Sequence, residues 1–264
     1  MKFDLSKVGF SKKDIKYNVT LPSSMTKELA YFLGIHLGDG TMNLYRKYDY
    51  YISYSGHIID EYLFYTKDFR NLFKRLFNKD LRIIEDLRNN KSSIKLTTQS
   101  KAIFMFINQV LNIKIGPKIN TSIPDVVRSS KYIKSFIRGL ADADFSLTFK
   151  KGRKGVRCYP VISFNSNNQT LVNEINNELK NMRIKTYSLF NFPHKRYEKV
   201  YISNLLQISG EDNLKLWMKF IGFSSPKHLT KYKIWKRYSF CPKNTSLLER
   251  EKILNGSLDI NIYK

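Results

Sequence analysis

Two nine-residue stretches decide how this chain is read: Phe32-Leu-Gly-Ile-His-Leu-Gly-Asp-Gly40 and Ile137-Arg-Gly-Leu-Ala-Asp-Ala-Asp-Phe145. Each carries small residues four apart, Gly34 and Gly38 in the first, Gly139 and Ala143 in the second. On a helix, positions i and i+4 share a face. Glycine inside a helix costs about 1 kcal/mol relative to alanine, and close approach of two helix backbones would offset that. The pattern predicts two helices packed on one another. Asp39 and Asp144 follow at once, at the C-terminal end of each. The helix macrodipole is negative there, and two carboxylates brought close repel each other. An arrangement disfavoured twice points to a cation. Mg²⁺ takes carboxylate, carbonyl and water oxygens, and the carbonyls of Gly38 and Ala143 stand at helix ends, where partners are missing. Asp39, Asp144, Gly38 and Ala143 are therefore the candidate metal ligands.

Working outward, the surroundings of the two stretches match. Leu21-Pro22 leads into the first and Ile123-Pro124 into the second, with Pro-to-Asp intervals of 17 and 20 residues. Strand-like segments follow, Tyr51–Ser55 and Val161–Asn165, then helix-like segments with apolar residues at Leu63, Phe64, Phe69, Leu72, Phe73, Leu76 and at Leu171, Ile175, Leu179, Met182. Further strand patterns cover 81–88 and 184–190. A last strand and helix lie around Ser93–Val110 and Val200–Ile221. Asp39 and Asp144 are 105 residues apart, Ile52 and Ile162 are 110 apart, and the order is kept, which implies an internal duplication. Each half reads helix, two strands, helix, two strands, helix, with short polar turns that favour antiparallel pairing. The expected fold class is α+β in two halves, 1–115 and 131–264, joined by a linker over 116–130.

Composition limits the partners. Of 264 residues, 42% are hydrophobic and 26% charged, the balance of a folded globule. Lys and Arg number 46 against 22 Asp and Glu, a net charge of +24. Residues 1–128 carry 21 basic and 12 acidic side chains and residues 129–264 carry 25 and 10, so both halves expect a polyanion. No apolar run reaches the roughly 20 residues of a membrane span, and residues 1–14 lack the apolar core of a secretory signal. An intracellular place is expected, without membrane contact. Cys158 and Cys241 have no CxxC spacing and read as two buried thiols.

The two stretches resemble the paired signature of the LAGLIDADG homing endonucleases in their single-chain, two-motif form, and the similarity extends over nearly the whole chain. The resemblance implies two pseudo-symmetric αββαββα halves, signature helices packed together, and a saddle-shaped antiparallel DNA-binding sheet in each half. It implies a metal-dependent double-strand break with 3′ overhangs at a long asymmetric DNA site, made by a monomer. Mg²⁺ is the implied cofactor, with Mn²⁺ as substitute and Ca²⁺ supporting binding without cleavage. The family's catalytic acid matches Asp39 and Asp144. Asp142 matches an earlier acid of the motif, where the first copy has Leu37, and reads as structural. Gly40 fits the usual glycine after the acid. Phe145 departs from it, and the favoured reading is that Phe145 packs where the chain enters its first strand. An intron RNA maturase, or a DNA-binding protein with decayed nuclease activity, is the alternative on the same fold.

Base readout needs polar and basic side chains at alternate strand positions in a groove. The candidates in the first half are Arg46, Lys47, Tyr48, Arg82 and Arg88, and in the second Lys150, Lys151, Arg153, Lys154, Arg157, Lys195, Arg196, Lys199 and Gln207. Lys95 is the candidate basic catalytic residue, at a position taken as roughly equivalent to Gln207. The basic run from Lys227 to Arg237 reads as a helix along a nucleic-acid backbone. His36, facing Ala141 in the other copy, reads as a packed histidine rather than a general base.

Overall fold

The computed structural model describes residues 2–86, 92–151, 158–196 and 198–263. Backbone contacts divide the chain into two units, Met1–Ala143 and Asp144–Lys264. The first contains α1 (Lys12–Lys16), α2 (Lys27–Asp39), β1 (Gly40–Tyr45), β2 (Asp49–His57) and α3 (Ile58–Leu63). A π-helical turn, Phe64–Phe69, joins α3 to α4 (Arg70–Phe77). Then come β3 (Arg82–Asp86), β4 (Ser93–Gln99), α5 (Lys101–Met105), a second π turn Phe106–Val110, α6 (Asp125–Arg128) and, except its last residue, α7 (Ile133–Asp144). The second unit contains β5 (Phe145–Lys151), β6 (Cys158–Ser166), α8 (Gln169–Asn181), β7 (Tyr187–Arg196), β8 (Lys199–Ser209), α9 (Glu211–Phe220), α10 (Pro226–Tyr238), α11 (Leu247–Asn255) and the 3₁₀ turn Ile260–Tyr263.

Each unit holds one four-stranded antiparallel sheet, ordered β1-β2-β4-β3 in the first and β5-β6-β8-β7 in the second. The duplicated α+β order expected from the sequence is present, with α1, α10 and α11 added. Alternation explains the sheets. Met42, Ile52, Tyr54, Ile94 and Leu96 are buried on one face of the first sheet, and Phe145, Leu147, Ile162, Phe164, Leu206 and Ile208 on one face of the second. A period of two then sends the intervening polar residues to the opposite face.

The apolar spacing over 58–77 misleads at one position. Leu63 was expected inside and is exposed, while Phe64, Tyr65 and Phe69 are buried. The wide turn is the reason: it lets Phe64 and Phe69, five residues apart, face the same core, which a regular α-helix does not.

Helix α2 begins at an N-cap, Thr26, whose hydroxyl accepts from the Leu29 amide at 3.1 Å. It meets α7 backbone to backbone. A Cβ on Gly34 would lie 2.1 Å from the Phe136 carbonyl oxygen, and one on Gly139 would lie 2.0 Å from that of Tyr31. The approach centres on this glycine pair, which is why neither carries a side chain. Tyr31 reinforces it by donating its hydroxyl to Asp142 at 2.7 Å, so Asp142 is a buried structural acid, as the sequence suggested. At the edge of the first unit, buried Asp14 accepts from Ser100 Oγ (2.6 Å), Ser11 Oγ (2.7 Å) and the amides of Ser11 and Ala102. Cys241 is buried, and burial pushes its thiol up to about 11; Cys158, expected to be buried too, is only half-buried.

Candidate functional site

Asp39 and Asp144 are the last residues of α2 and α7, each five residues beyond the glycine of the close approach. The next residue in each case starts the first strand of a sheet. Asp39 is half-exposed and Asp144 exposed. The Asp39 carboxylate accepts, through Oδ2, the hydroxyl of Tyr65 from the π turn. Tyr65 is fully buried.

A lysine not singled out in the sequence closes the end of α2. The Lys118 ammonium donates to the carbonyls of His36 (2.8 Å), Leu37 (2.9 Å) and Gly38 (3.0 Å). The His36 carbonyl also accepts the Gly40 amide, while those of Leu37 and Gly38 stand in the last helical turn, where a cation is the favoured partner. The Gly38 carbonyl, a candidate metal ligand, therefore already has a cationic partner. Lys118 comes from the segment expected to be a linker, and its contact with Gly38 spans 80 residues of sequence. Lys95 lies on β4 opposite Ser55, with its ammonium 5.4 Å from the centre of the Tyr51 ring.

His36 is buried, and its Nδ1 lies 3.0 Å from the Tyr54 hydroxyl. Burial, with the Lys118 charge adding to it, lowers its pKa to about 3. It is a neutral packing residue near neutral pH. Its bulk also explains the residue after the acid. Gly40 has ordinary extended dihedrals (φ −80°, ψ 147°), so no backbone requirement selects glycine there. A Cβ on Gly40 would instead lie 2.6 Å from His36 Nδ1 and 2.7 Å from its carbonyl oxygen. In the second copy the pair is inverted, Ala141 four residues before Phe145. Phe145 is buried, stacked on Phe164 at 4.6 Å between ring centres and 5.7 Å from Trp217. Large-then-small in one copy answers small-then-large in the other.

The sheet faces opposite the buried ones carry rows of polar residues in register. In the first sheet Thr41 faces Ser53, Ser53 faces Thr97 and Thr97 faces Arg82, with Ser53 and Thr97 themselves buried between exposed ends. In the second the row is Ser146, Ser163, Gln207 and Tyr187. Hydroxyls meet in both, Thr41 Oγ1 to Ser53 Oγ at 2.7 Å and Ser146 Oγ to Ser163 Oγ at 2.9 Å. The rows correct one pairing made from sequence: Gln207 occupies the place of Thr97, and Lys95 that of Leu205, two residues away.

The other expected nucleic-acid contacts distribute unevenly. Arg82 and Lys150 are exposed on their strands. Arg46 and Lys47 are not on a strand face; with Tyr48 they form the three-residue loop between β1 and β2, and both have positive φ (47° and 64°). Two central residues at positive φ, closed by the Tyr48 amide donating to the Tyr45 carbonyl at 3.2 Å, make a turn whose twist suits a β-hairpin. Tyr48, next to them, is 81% exposed. Lys151 ends β5. Lys195 and Arg196 pair with Val200 and Lys199 at the tip of the β7–β8 hairpin. Arg88, Arg153, Lys154 and Arg157 lie outside the described residues. The basic run from Lys227 to Arg237 forms helix α10, with Lys233, Lys236 and Arg237 exposed.

Among the described residues, no group of three or more His, Cys, Asp or Glu side chains is gathered that could hold a metal ion alone. What is offered is carboxylate oxygen. That fits a hard ion such as Mg²⁺, which binds through one or two carboxylates and completes its shell with water and phosphate. No helix among the described residues is long and apolar enough to cross a membrane.

No protein-family model matches the chain. No curated protein matches it either. Solved structures do. The homing endonuclease I-DmoI, in complex with DNA and Mn, aligns at a TM-score of 0.51 with 16% identity, over 74% of this chain and 96% of that one. The homing endonuclease I-WcaI, bound to its DNA recognition sequence, aligns at 0.52 with 16% identity, over 88% and 96%. The duplicated sheets, the glycine-packed α2 and α7 and these alignments give one conclusion: the chain has the fold of the single-chain LAGLIDADG homing endonucleases.

Proposed function

We propose that this protein is a site-specific DNA endonuclease that cuts both strands of a long asymmetric target and leaves 3′ overhangs. The observation that carries the reading is the repeated junction at Asp39 and Asp144, where a helix-terminal carboxylate runs directly into a sheet with a polar face. The structural relatives are DNA endonucleases seen on DNA. The net charge of +24 suits a polyanionic partner.

In this reading Asp39 and Asp144 hold divalent metal, each mainly for the cut in one strand. Bound Mg²⁺ supplies an activated water and stabilises the leaving 3′ oxygen. The chain does the rest. Tyr65 holds Asp39 through one carboxylate oxygen, Oδ2. Lys118 neutralises the end of α2, its ammonium donating to the carbonyl of Gly38, the residue before Asp39. Thr41 and Arg82 at the two ends of the first row, and the row from Ser146 to Tyr187, face the duplex. The hairpin tip at Arg46–Lys47 reaches phosphates. The burial of Phe145 leaves the residue after Asp144 without a steric quarrel with the site, which supports two working acids over a decayed nuclease. The protein acts as a monomer, its halves at 1–115 and 131–264, wherever the host DNA lies.

The test is a duplex spanning the joined sequences on either side of the host gene's insertion point, incubated with protein in Mg²⁺, Ca²⁺ or EDTA. Double-strand cutting is expected in Mg²⁺, binding without cutting in Ca²⁺, and no cutting in EDTA. Tight binding with no cutting in Mg²⁺ would overturn the nuclease and leave a binding protein or an intron RNA maturase.

A further inference from the structure

The two halves are not built alike behind their acids. In the first, α3 and α4 are joined by the π turn Phe64–Phe69, which begins with two buried aromatic residues, Phe64 and Tyr65. In the second, the corresponding helix α8 is regular throughout its 13 residues. Its buried side chains are Leu171, Val172, Ile175, Asn176 and Leu179, and it contains no tyrosine.

Space for the Tyr65 ring is made by a glycine. A Cβ on Gly56 of β2 would lie 2.3 Å from the ring's Cε2 and 2.5 Å from its Cδ2. Phe64 and Phe69 close the ring in, at 5.1 Å and 5.7 Å between centres. The hydroxyl of this wholly enclosed ring donates to Asp39 Oδ2. A buried phenol needs a partner, and a hydrogen bond to a charged acceptor is among the stronger ones. The bond therefore fixes which way the Asp39 carboxylate points, because the ring itself cannot move. Packing alone gives no reason for this phenol: phenylalanine fills nearly the same volume, as Phe64 and Phe69 do beside it.

We infer that Tyr65 is a positioning residue for Asp39, and that it makes the rate of one strand's cut depend on a phenol that the corresponding helix α8 of the other half does not carry. The inference rests on the nuclease reading above. It makes the enzyme asymmetric: the strand served by Asp39 answers to Tyr65, and the strand served by Asp144 does not.

The experiment is single-turnover cleavage of a duplex labelled separately on each strand, for wild type, Asp39→Asn, Tyr65→Phe and Tyr54→Phe. Tyr54 is the control, a buried phenol on the same core whose partner is His36 rather than Asp39. Asp39→Asn identifies the strand that depends on Asp39. Tyr65→Phe is expected to slow that strand by about ten- to a hundred-fold, the worth of one hydrogen bond to a charged group. The other strand should stay within about two-fold, so nicked duplex accumulates, while Tyr54→Phe should shift both strands alike or neither. A second readout needs no turnover: in calorimetric Ca²⁺ titrations of the protein–DNA complex, Tyr65→Phe should weaken Ca²⁺ uptake while DNA affinity stays unchanged. Replacing residue 65 by 4-aminophenylalanine, which keeps a donor, should restore the strand ratio, and it keeps the test open should Tyr65→Phe fold poorly. Equal slowing of both strands, no slowing of either, or unchanged Ca²⁺ uptake would overturn the inference. If wild type itself does not cut, the nuclease reading fails first and takes the inference with it.

Discussion

His36 and Gly40 show how one side chain sets another four positions on. The imidazole, together with the His36 carbonyl oxygen and Cα at 2.7 and 2.9 Å, fills the space where a Cβ of residue 40 would go. Gly40→Ala should therefore destabilise the protein by about 1–3 kcal/mol in urea unfolding, the usual penalty for overpacking. Adding His36→Ala should recover part of that loss, and a double-mutant cycle showing strict additivity would count against the steric account. A second single-residue prediction concerns acid. Burial raises the Asp14 pKa, but hydrogen bonds from Ser100, Ser11 and Ala102 outweigh it and hold the carboxyl below its ordinary value. Its stabilisation is therefore full above the unfolded value near 3.8 and is lost as pH falls through the lower folded value. Asp14→Asn should lose stability at pH 7, and that loss should shrink toward zero in the acid range when melting is followed against pH. At this level the placement of the two candidate acids was legible: Asp39 and Asp144 end their helices, and they stand out because carboxylates at helix C-termini are disfavoured. Tyr65 did not, because a buried aromatic at helical spacing reads as core. Lys118 did not, because nothing local ties a linker lysine to carbonyls 80 residues earlier.

The elements were read well where a period repeats and poorly where it breaks. Both sheets follow from alternation, and their common strand order follows from duplication. The π turn broke the helical phase and turned Leu63 outward. Arg46 and Lys47 adopted positive φ without glycine or asparagine to announce a turn, so two residues expected on a strand face stand at a hairpin tip. The close approach of α2 and α7 gives the sharpest expectation here. A Cβ at residue 139 would meet the Tyr31 carbonyl at 2.0 Å, and backbone cannot swing aside as a long side chain can. Gly139→Ala should cost about 3 kcal/mol in denaturant unfolding, at the upper end for one added methyl group. A loss below about 0.5 kcal/mol, ordinary for a surface substitution, would show that the helices are not in backbone contact.

For the molecule as a whole, charge and duplication act together. With +24 on 264 residues, phosphate neutralisation should dominate affinity. DNA binding in Ca²⁺ should weaken by about a thousand-fold or more between 50 and 200 mM salt, read from a plot of log affinity against log salt. A flat plot would argue against a phosphate-dominated interface. The central claim is that two acids, one per half, each serve a cut. The most direct test places the target in a supercoiled plasmid and follows wild type, Asp39→Asn and Asp144→Asn in Mg²⁺, with binding checked in Ca²⁺. The account predicts linear plasmid from wild type alone, and undiminished binding by all three proteins. Linear plasmid from either variant at the wild-type rate would contradict it.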